Sequence, residues 1–415
     1  MVSVFSASEQ PRARQGSARL LGLSSALLIG INLRPAVTTV AATLDQARRA
    51  LELSAVESTL LATLPVIAFG LSAPLGPWLA RRFSVARVLL WAMWALAAGL
   101  LLRVLWPPLL LPGTFLVGAA IMAAGTLLPQ FLKSLDASGL WVGLSSMSFG
   151  VGAALGAAFV SPIYAASGHR IDVAWGVWAL PALVAGVPLL MGVARMRSAG
   201  GGLGEPSARL VFTPRSTGTI VAVTLVFGVQ ALLYFAVTAW MPLLLAERGY
   251  DSGQAGWLLA WFSISGFVPT MLTPIIARHR ALLLWVGPSL GVAIAAGVLW
   301  LYFAPPEQVF WAVGGLGAVQ SAAFGLGISL IVTMSANPGT AGVVSAFAQG
   351  AGYALAGAGS LGIGLLYTVS GGWMLSFMVM SALGLVLSIV AALAVRHEPI
   401  DLLPVPRLLA GSTTG

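Results

Sequence analysis

The sequence predicts an all-α polytopic membrane protein with 12 transmembrane helices in two six-helix halves. Three observations predict it. The 415 residues are 58% hydrophobic and only 8% charged, with a mean hydropathy of +0.95, a composition that water-soluble domains do not have. The charges are confined to short breaks between apolar runs of about 18 residues or more, long enough to cross a bilayer. Sliding the chain by 197 residues pairs Leu61 with Leu258, Ile67 with Ile264, Pro77 with Pro274, Ala80 with Ala277 and Arg81 with Arg278, a weak internal repeat on the second span of each half.

In chain order, a polar arm carrying Arg12, Arg14 and Arg19 precedes the first apolar run. That run is long and followed by others, so a retained helix is expected and not a cleaved signal peptide. Spans are expected at about 20–42, 56–80, 85–105, 109–132, 140–166 and 173–194. The second half follows at about 218–246, 253–277, 281–303, 309–334, 341–370 and 373–395. Turn residues punctuate them: Pro107-Pro108, Ser167-Gly168, Pro305-Pro306, Asn337-Pro338-Gly339 and Gly371-Gly372. The longest break is rich in Gly and Arg and divides the chain into residues 1–194, a linker at 195–217, a second half at 218–396 and a tail at 397–415. With the N-terminus inside, cytoplasmic segments hold 15 of the 21 Lys and Arg and the outer breaks hold 5, the remaining one being Arg34. That bias predicts a multi-pass protein of a bacterial-type inner membrane, with both termini and the linker in the cytoplasm.

Arg34 is the residue around which a function can be read. It lies in Gly30-Ile31-Asn32-Leu33-Arg34-Pro35, inside the first span, roughly 15–20 Å from either water boundary at 1.5 Å per residue. A guanidinium at that depth costs at least ~2.5–3.5 kcal/mol and normally turns to a bundle interior or aqueous cavity. Pro35 removes the hydrogen bond to the Ile31 carbonyl, and Asn32 adds an amide nearby. Cation, amide and freed backbone at one depth suit a small anion or polar heterocycle; the alternative is a structural Arg tying helix ends.

Under the same slide Gln230 falls opposite Leu33. Gln230, Tyr234 and Thr238 follow at i, i+4, i+8, and Gln349 and Tyr353 at i, i+4 in the eleventh span. The candidate site is therefore Arg34, Asn32, Gln230, Tyr234, Gln349 and Tyr353, with Thr38, Thr238, Arg103 and Lys133 as secondary candidates. Hydrogen bonding between helices is the competing role for the amides and phenols. Arg103 and Lys133, near helix ends, are expected to snorkel to the interface. All 12 acidic residues and the three His fall in loops or at span ends, so a buried proton relay is not expected; Glu57 and Asp136 are the nearest to one. Cysteine is absent, and no metal-spaced His cluster, phosphate-binding loop or hydrolase elbow occurs, so neither catalysis nor a cofactor is expected. The net charge of +9 is scattered between spans, which argues against nucleic acid.

At Ile31-Asn32-Leu33-Arg34-Pro35 the sequence resembles the cyanate / 2-nitroimidazole transporter family of the major facilitator superfamily. The resemblance runs over nearly the whole chain. It continues through Leu102-Arg103, Leu128-Pro129, Val211-Phe212-Thr213-Pro214-Arg215, Gly228-Val229-Gln230, Trp240-Met241-Pro242 and Ala346-Phe347-Ala348-Gln349-Gly350. The superfamily's general loop motif is incomplete: Gly76 and Arg81 match, but Ala80 stands for its acid and Phe83 for its second Gly. The resemblance implies the major facilitator fold and a secondary transporter, not an enzyme, that moves a small anion or small neutral heterocycle by alternating access; a monomer is expected. A multidrug-type exporter of uncharged compounds is the rival within transporters. A membrane enzyme or sensor is the rival outside them, and it lacks both catalytic groups in the spans and a soluble output domain.

Overall fold

The computed structural model describes residues 9–198 and 213–402. Among them almost everything is helix, and the one extended pairing is a parallel bridge between Ser335 and Ile400. Eleven helices are long and apolar enough to cross a membrane: Arg19–Ala42, Val85–Leu105, Pro107–Ser134, Gly139–Ala166, Ile171–Met191, Pro214–Glu247, Gln254–Ile276, Arg280–Phe303, Pro306–Thr333, Pro338–Ser370 and Trp373–Ala394. The pair Thr63–Ser72 and Leu75–Arg82, bent by 43° at Pro74, supplies the remaining span. Taking that pair as span 2, the spans are numbered 1 to 12 in chain order.

Spans 1 to 6 pack together, as do spans 7 to 12, and the halves meet along spans 2 and 4 on 11 and along span 5 on 8. Arg19 and residues 398–402 lie at one end of the bundle. Arg19 donates to the carbonyls of Leu135 and Asp136 in the loop after span 4. Ile400 pairs with the loop after span 10, and Arg215 at the start of span 7 pairs with Glu398. Residues 397–402, the start of the expected tail, strap this end: Asp401 accepts from Asn337, and the Leu402 amide donates to Thr340. Residues 403–415, and most of the linker, lie outside the described residues; span 6 continues as helix to Ser198 and span 7 begins at Pro214.

Besides the bend in span 2 and an interruption after Gly176 in span 6, spans 1 and 8 are broken at mid-course. In span 1 helix Glu9–Asn32 stops and Pro35–Ala42 resumes, with Arg34 as the capping residue of the second piece. Pro35 is the cause, since it lacks the N–H that would continue the ladder. The Arg34 carbonyl accepts instead from Val37 and Thr38 amides. Span 8, expected at about 253–277, is split into Ser252–Ile264 and Phe267–Ile276. Pro269 forfeits the bond to the Ser265 carbonyl, and Gly266 sits in the gap.

The break in span 1 is seated on span 5. A Cβ at Gly152 would lie 2.0 Å from the Ile31 carbonyl oxygen, and one at Gly156 would lie 2.8 Å from the Cα of Pro35. Only glycine lets these backbones meet, as is common where membrane helices cross closely. The same device seals the end where Arg19 and Leu402 lie. A Cβ at Gly143 of span 5 would lie 2.1 Å from the Met271 carbonyl of span 8, and one at Gly139 would lie 2.8 Å from that of Pro274. Spans 1 and 7 form no comparable seam among the described residues.

Candidate functional site

The two breaks open on one cavity. It measures about 120 Å³ and lies between the halves, walled by spans 1, 5, 7, 8, 10 and 11. Arg34 and Thr38 line it from span 1, and Gly266 from the gap in span 8. Arg34 stands at the break as the residue that precedes helix Pro35–Ala42, and its side chain makes no capping hydrogen bond there. Its side chain is half-buried. Among the described residues the ion pairs are Arg170–Asp172 and Arg215–Glu398, both at exposed positions, so no carboxylate neutralises Arg34. No Asp or Glu lines the cavity. Guanidinium stays protonated in proteins, so the site presents a fixed positive charge with open donors.

Aromatic rings make up much of the remaining wall. Tyr353 of span 11 stands edge-on to Phe227 of span 7 at 5.4 Å, and Phe227 lies 6.2 Å from Phe324 of span 10. Phe149 meets Phe324 edge-on at 5.9 Å, joining the two halves at the cavity wall. Tyr234 packs on Phe235 and Phe262. Such edges and faces suit a flat, polarisable ligand. Gln230 supplies the amide: its Nε2 donates to the Gln320 carbonyl at 3.2 Å, and its Oε1 has no partner among the described residues.

Of the residues expected from sequence, Arg34, Thr38, Gln230, Tyr234 and Tyr353 come together on this wall. The others are placed elsewhere. Asn32 turns back on its own helix, donating to Leu28 at 2.8 Å, and lines no cavity among those around Arg34. Thr238 donates to the carbonyls of Tyr234 and Phe235 and lies off the wall. Gln349 ties span 11 to span 4 by donating to Gly125 at 2.9 Å, and also to Ser345; it borders only a small void of about 20 Å³ behind Arg34.

Arg103 does not snorkel. It is 2% exposed, donates to the Ala36 carbonyl, and sits over the ring of Trp175. Its guanidinium is held inward by the Ala36 carbonyl and the Trp175 ring and does not reach the interface. Lys133 is half-buried in a crevice between the halves at the sealed end, with Asp136 and Arg278. Glu57 spends its carboxylate capping its own helix at Ser54.

Sequence reasoning missed the walls from spans 5, 8 and 10, including Ser146, Phe149, Thr270 and Phe324. The signal for span 8 was present in Ser265-Gly266-Phe267-Val268-Pro269; the phenylalanines gave none, because an apolar residue in an apolar span can face lipid, core or cavity.

A family model described as Major Facilitator Superfamily matches residues 20–361. A 2-nitroimidazole transporter of Escherichia coli (strain K12) is 30% identical over 390 residues, covering 93% of this chain and 98% of the relative. The cyanate transport protein CynX of the same strain is 33% identical over 359 residues, covering 85% and 91%. Among solved structures, the proton:xylose symporter XylE aligns with a TM-score of 0.70 at 14% identity over 94% of this chain and 98% of that one. FucP in its outward conformation aligns with a TM-score of 0.67 at 15% identity, covering 89% and 98%.

Proposed function

The chain belongs to the major facilitator superfamily and is a multi-pass membrane transporter, and on that premise we propose that it carries a small anion or small polar heterocycle held by Arg34. The observation that carries this is the unneutralised guanidinium in the helix break, on the wall of the cavity between the halves. A solute with a negative or electronegative group would meet Arg34, while a flat ring would lie among Phe227, Phe324 and Tyr353 and meet Gln230 with its polar edge. The two E. coli relatives, named for 2-nitroimidazole and cyanate, bracket that chemistry. The aromatic wall favours the heterocycle of the two. The cavity volume of about 120 Å³ is well under the ~300–1,000 Å³ typical of drug-sized sites, which argues against a multidrug exporter.

Residues 1–194 and 218–396 form the two moving halves in this proposal, joined by the cytoplasmic linker 195–217, and the protein works as a monomer. The bias of Lys and Arg supports cytoplasmic termini. The sealed end is then the cytoplasmic one, and the arrangement is the outward-facing stage of alternating access.

The test is a thermal-shift screen of the purified protein with small anions and nitroheterocycles, repeated on Arg34→Ala. Stabilisation by a ligand of this class that disappears in folded Arg34→Ala supports the assignment. Equal stabilisation of both proteins refutes Arg34 as the main ligand.

A further inference from the structure

We infer that Arg103 and Trp175 are positioning residues: together they clamp the outer piece of the broken span 1 and so set where Arg34 and Thr38 stand in the cavity. The inference rests on the proposed role of that cavity, but the clamp itself can be tested without a ligand.

The piece in question is Pro35–Ala42, a helix of 8 residues. Helices this short are marginal by themselves, so their position is set by what holds them. Its inner end is joined to Arg34 by the amides of Val37 and Thr38 and by the Thr38 hydroxyl, which donates to the Arg34 carbonyl at 3.2 Å. Any tilt of the piece therefore moves the guanidinium. Span 5 supports one flank through Gly156.

The opposite flank is held by the two residues in question. Arg103, from the end of span 3, donates Nη1 to the Ala36 carbonyl at 3.0 Å. Trp175, from the start of span 6, donates Nε1 to the Thr43 hydroxyl at 3.0 Å. One bond grips each end of the piece. The Arg103 guanidinium lies 5.2 Å from the Trp175 ring centroid, so the grips also hold each other. Thr43 in turn donates to the Thr39 carbonyl, which closes the upper end.

Beyond this flank the structure is loosely filled. Arg103, Leu110, Ile171 and Trp175 border a second cavity of about 520 Å³ at the end remote from Arg19 and Leu402. Val40 of the clamped piece packs in the same cluster as Leu110, Ile171 and Trp175. The piece thus has room to lean toward span 3 once the grips are removed. A buried guanidinium is expensive to keep, and a methionine or leucine would fill the space. What the Arg adds is a donor to Ala36 and a cation over the indole. It borders the outer cavity and not the central one, so it acts on the site through span 1 and does not touch the solute.

The chain has no cysteine, so single reporters can be placed without background. Thr38→Cys reports on the clamped piece, and Ser263→Cys on the cavity wall of the other half. Their rates with a hydrophilic thiol reagent are compared in the full-length protein, without ligand, with and without Arg103→Gln, Arg103→Lys and Trp175→Phe. The expected result is a change in the Thr38→Cys rate of roughly three- to tenfold with Arg103→Gln, about the worth of one net hydrogen bond. Trp175→Phe, which keeps the ring and loses the donor, shifts it in the same direction, and Arg103→Lys restores part of it. Ser263→Cys stays within about twofold of its parent, less than one such bond is worth. Should Arg103→Gln fail to fold, Trp175→Phe and Arg103→Lys decide alone. An unchanged Thr38→Cys rate, or equal changes at both reporters, overturns the clamp. If instead Arg34→Ala binds ligand normally while Thr38→Cys responds, the clamp stands and the ligand role of Arg34 falls.

Discussion

Replacing Gly143 by alanine is expected to open the sealed end of the bundle. The new Cβ would lie 2.1 Å from the Met271 carbonyl oxygen, 3.0 Å from the Met271 carbonyl carbon and 3.2 Å from its Cα. All three are backbone atoms, so no side chain can rotate away. A tolerable contact needs spans 5 and 8 to part by about 1 Å, and overpacking of that kind typically costs ~1–3 kcal/mol. Spans 5 and 8 belong to different halves, so rocking of one half on the other relieves the clash entirely. The penalty then falls on the sealed state alone and shifts the equilibrium by roughly 5- to 150-fold toward the state open at this end. Gly152→Ala is the control. Its Cβ would lie 2.0 Å from the Ile31 carbonyl, an equally severe clash, but spans 5 and 1 belong to the same half. Rocking cannot relieve it, so the cost appears as lost thermal stability. The assay uses Thr333→Cys, in the crevice at the sealed end, and Ser263→Cys, in the central cavity. Gly143→Ala should raise the labelling rate of the first and lower that of the second, with little loss of melting temperature. Unchanged rates together with a melting temperature lowered as in Gly152→Ala would show that Gly143 serves packing only.

Arg34→Ala, in a folded protein, should weaken ligand binding by roughly 10- to 150-fold, the worth of a lost charged hydrogen bond, as read by titration calorimetry. Arg34→Lys should recover only part of the affinity, because an ammonium cannot present two parallel donors; full recovery would show that charge alone suffices. Single cysteines at Gln230, Tyr234 and Tyr353 should react with a hydrophilic reagent and be protected by ligand, whereas Asn32 and Gln349 should not; the reverse pattern would reassign the wall. Transport in proteoliposomes with the potential clamped should show no stoichiometric proton flux when the substrate cannot itself titrate. Such a flux would make Glu57 or Asp136 the carrier to test by substitution with Gln or Asn.

The spans were legible because hydropathy is a bulk property: the third was expected at 85–105 and runs Val85–Leu105. The break in span 1 was legible in Pro35, since a missing N–H is a local fact. Facing was harder to read. A step of four residues advances about 40° beyond a full turn, so by Thr238 the i, i+4, i+8 series from Gln230 has drifted about 80° off its face and risen two turns. Gln230 and Tyr234 reach the cavity and Thr238 does not. Arg103 was misread for a different reason. Its burial comes from Ala36 and Trp175, 67 residues before it and far after it in sequence, and no local pattern announces a contact across such separations. Gln349 likewise owes its packing role to Gly125, on another span of the other half.

The charge of the cavity constrains how a transporter of this kind can run. Arg34 brings one positive charge, and no carboxylate lines the wall to cancel it. A bound anion makes the loaded site nearly neutral, so the loaded protein can reorient with little work against the membrane field. The empty protein cannot, because its buried cation must shift within a field worth ~2.3 kcal/mol per 100 mV for a full crossing. An inside-negative potential favours the empty site turned inward and opposes entry of free anions. Net uptake of an anion would therefore need a co-transported cation or a steep gradient, whereas export, or exchange in which the site returns loaded, needs neither. A neutral heterocycle escapes the first limit but not the second, since it leaves the site charged in both halves of the cycle. Exchange, facilitated diffusion, or carriage of a protonated substrate are the modes that fit a single fixed cation without a titrating partner.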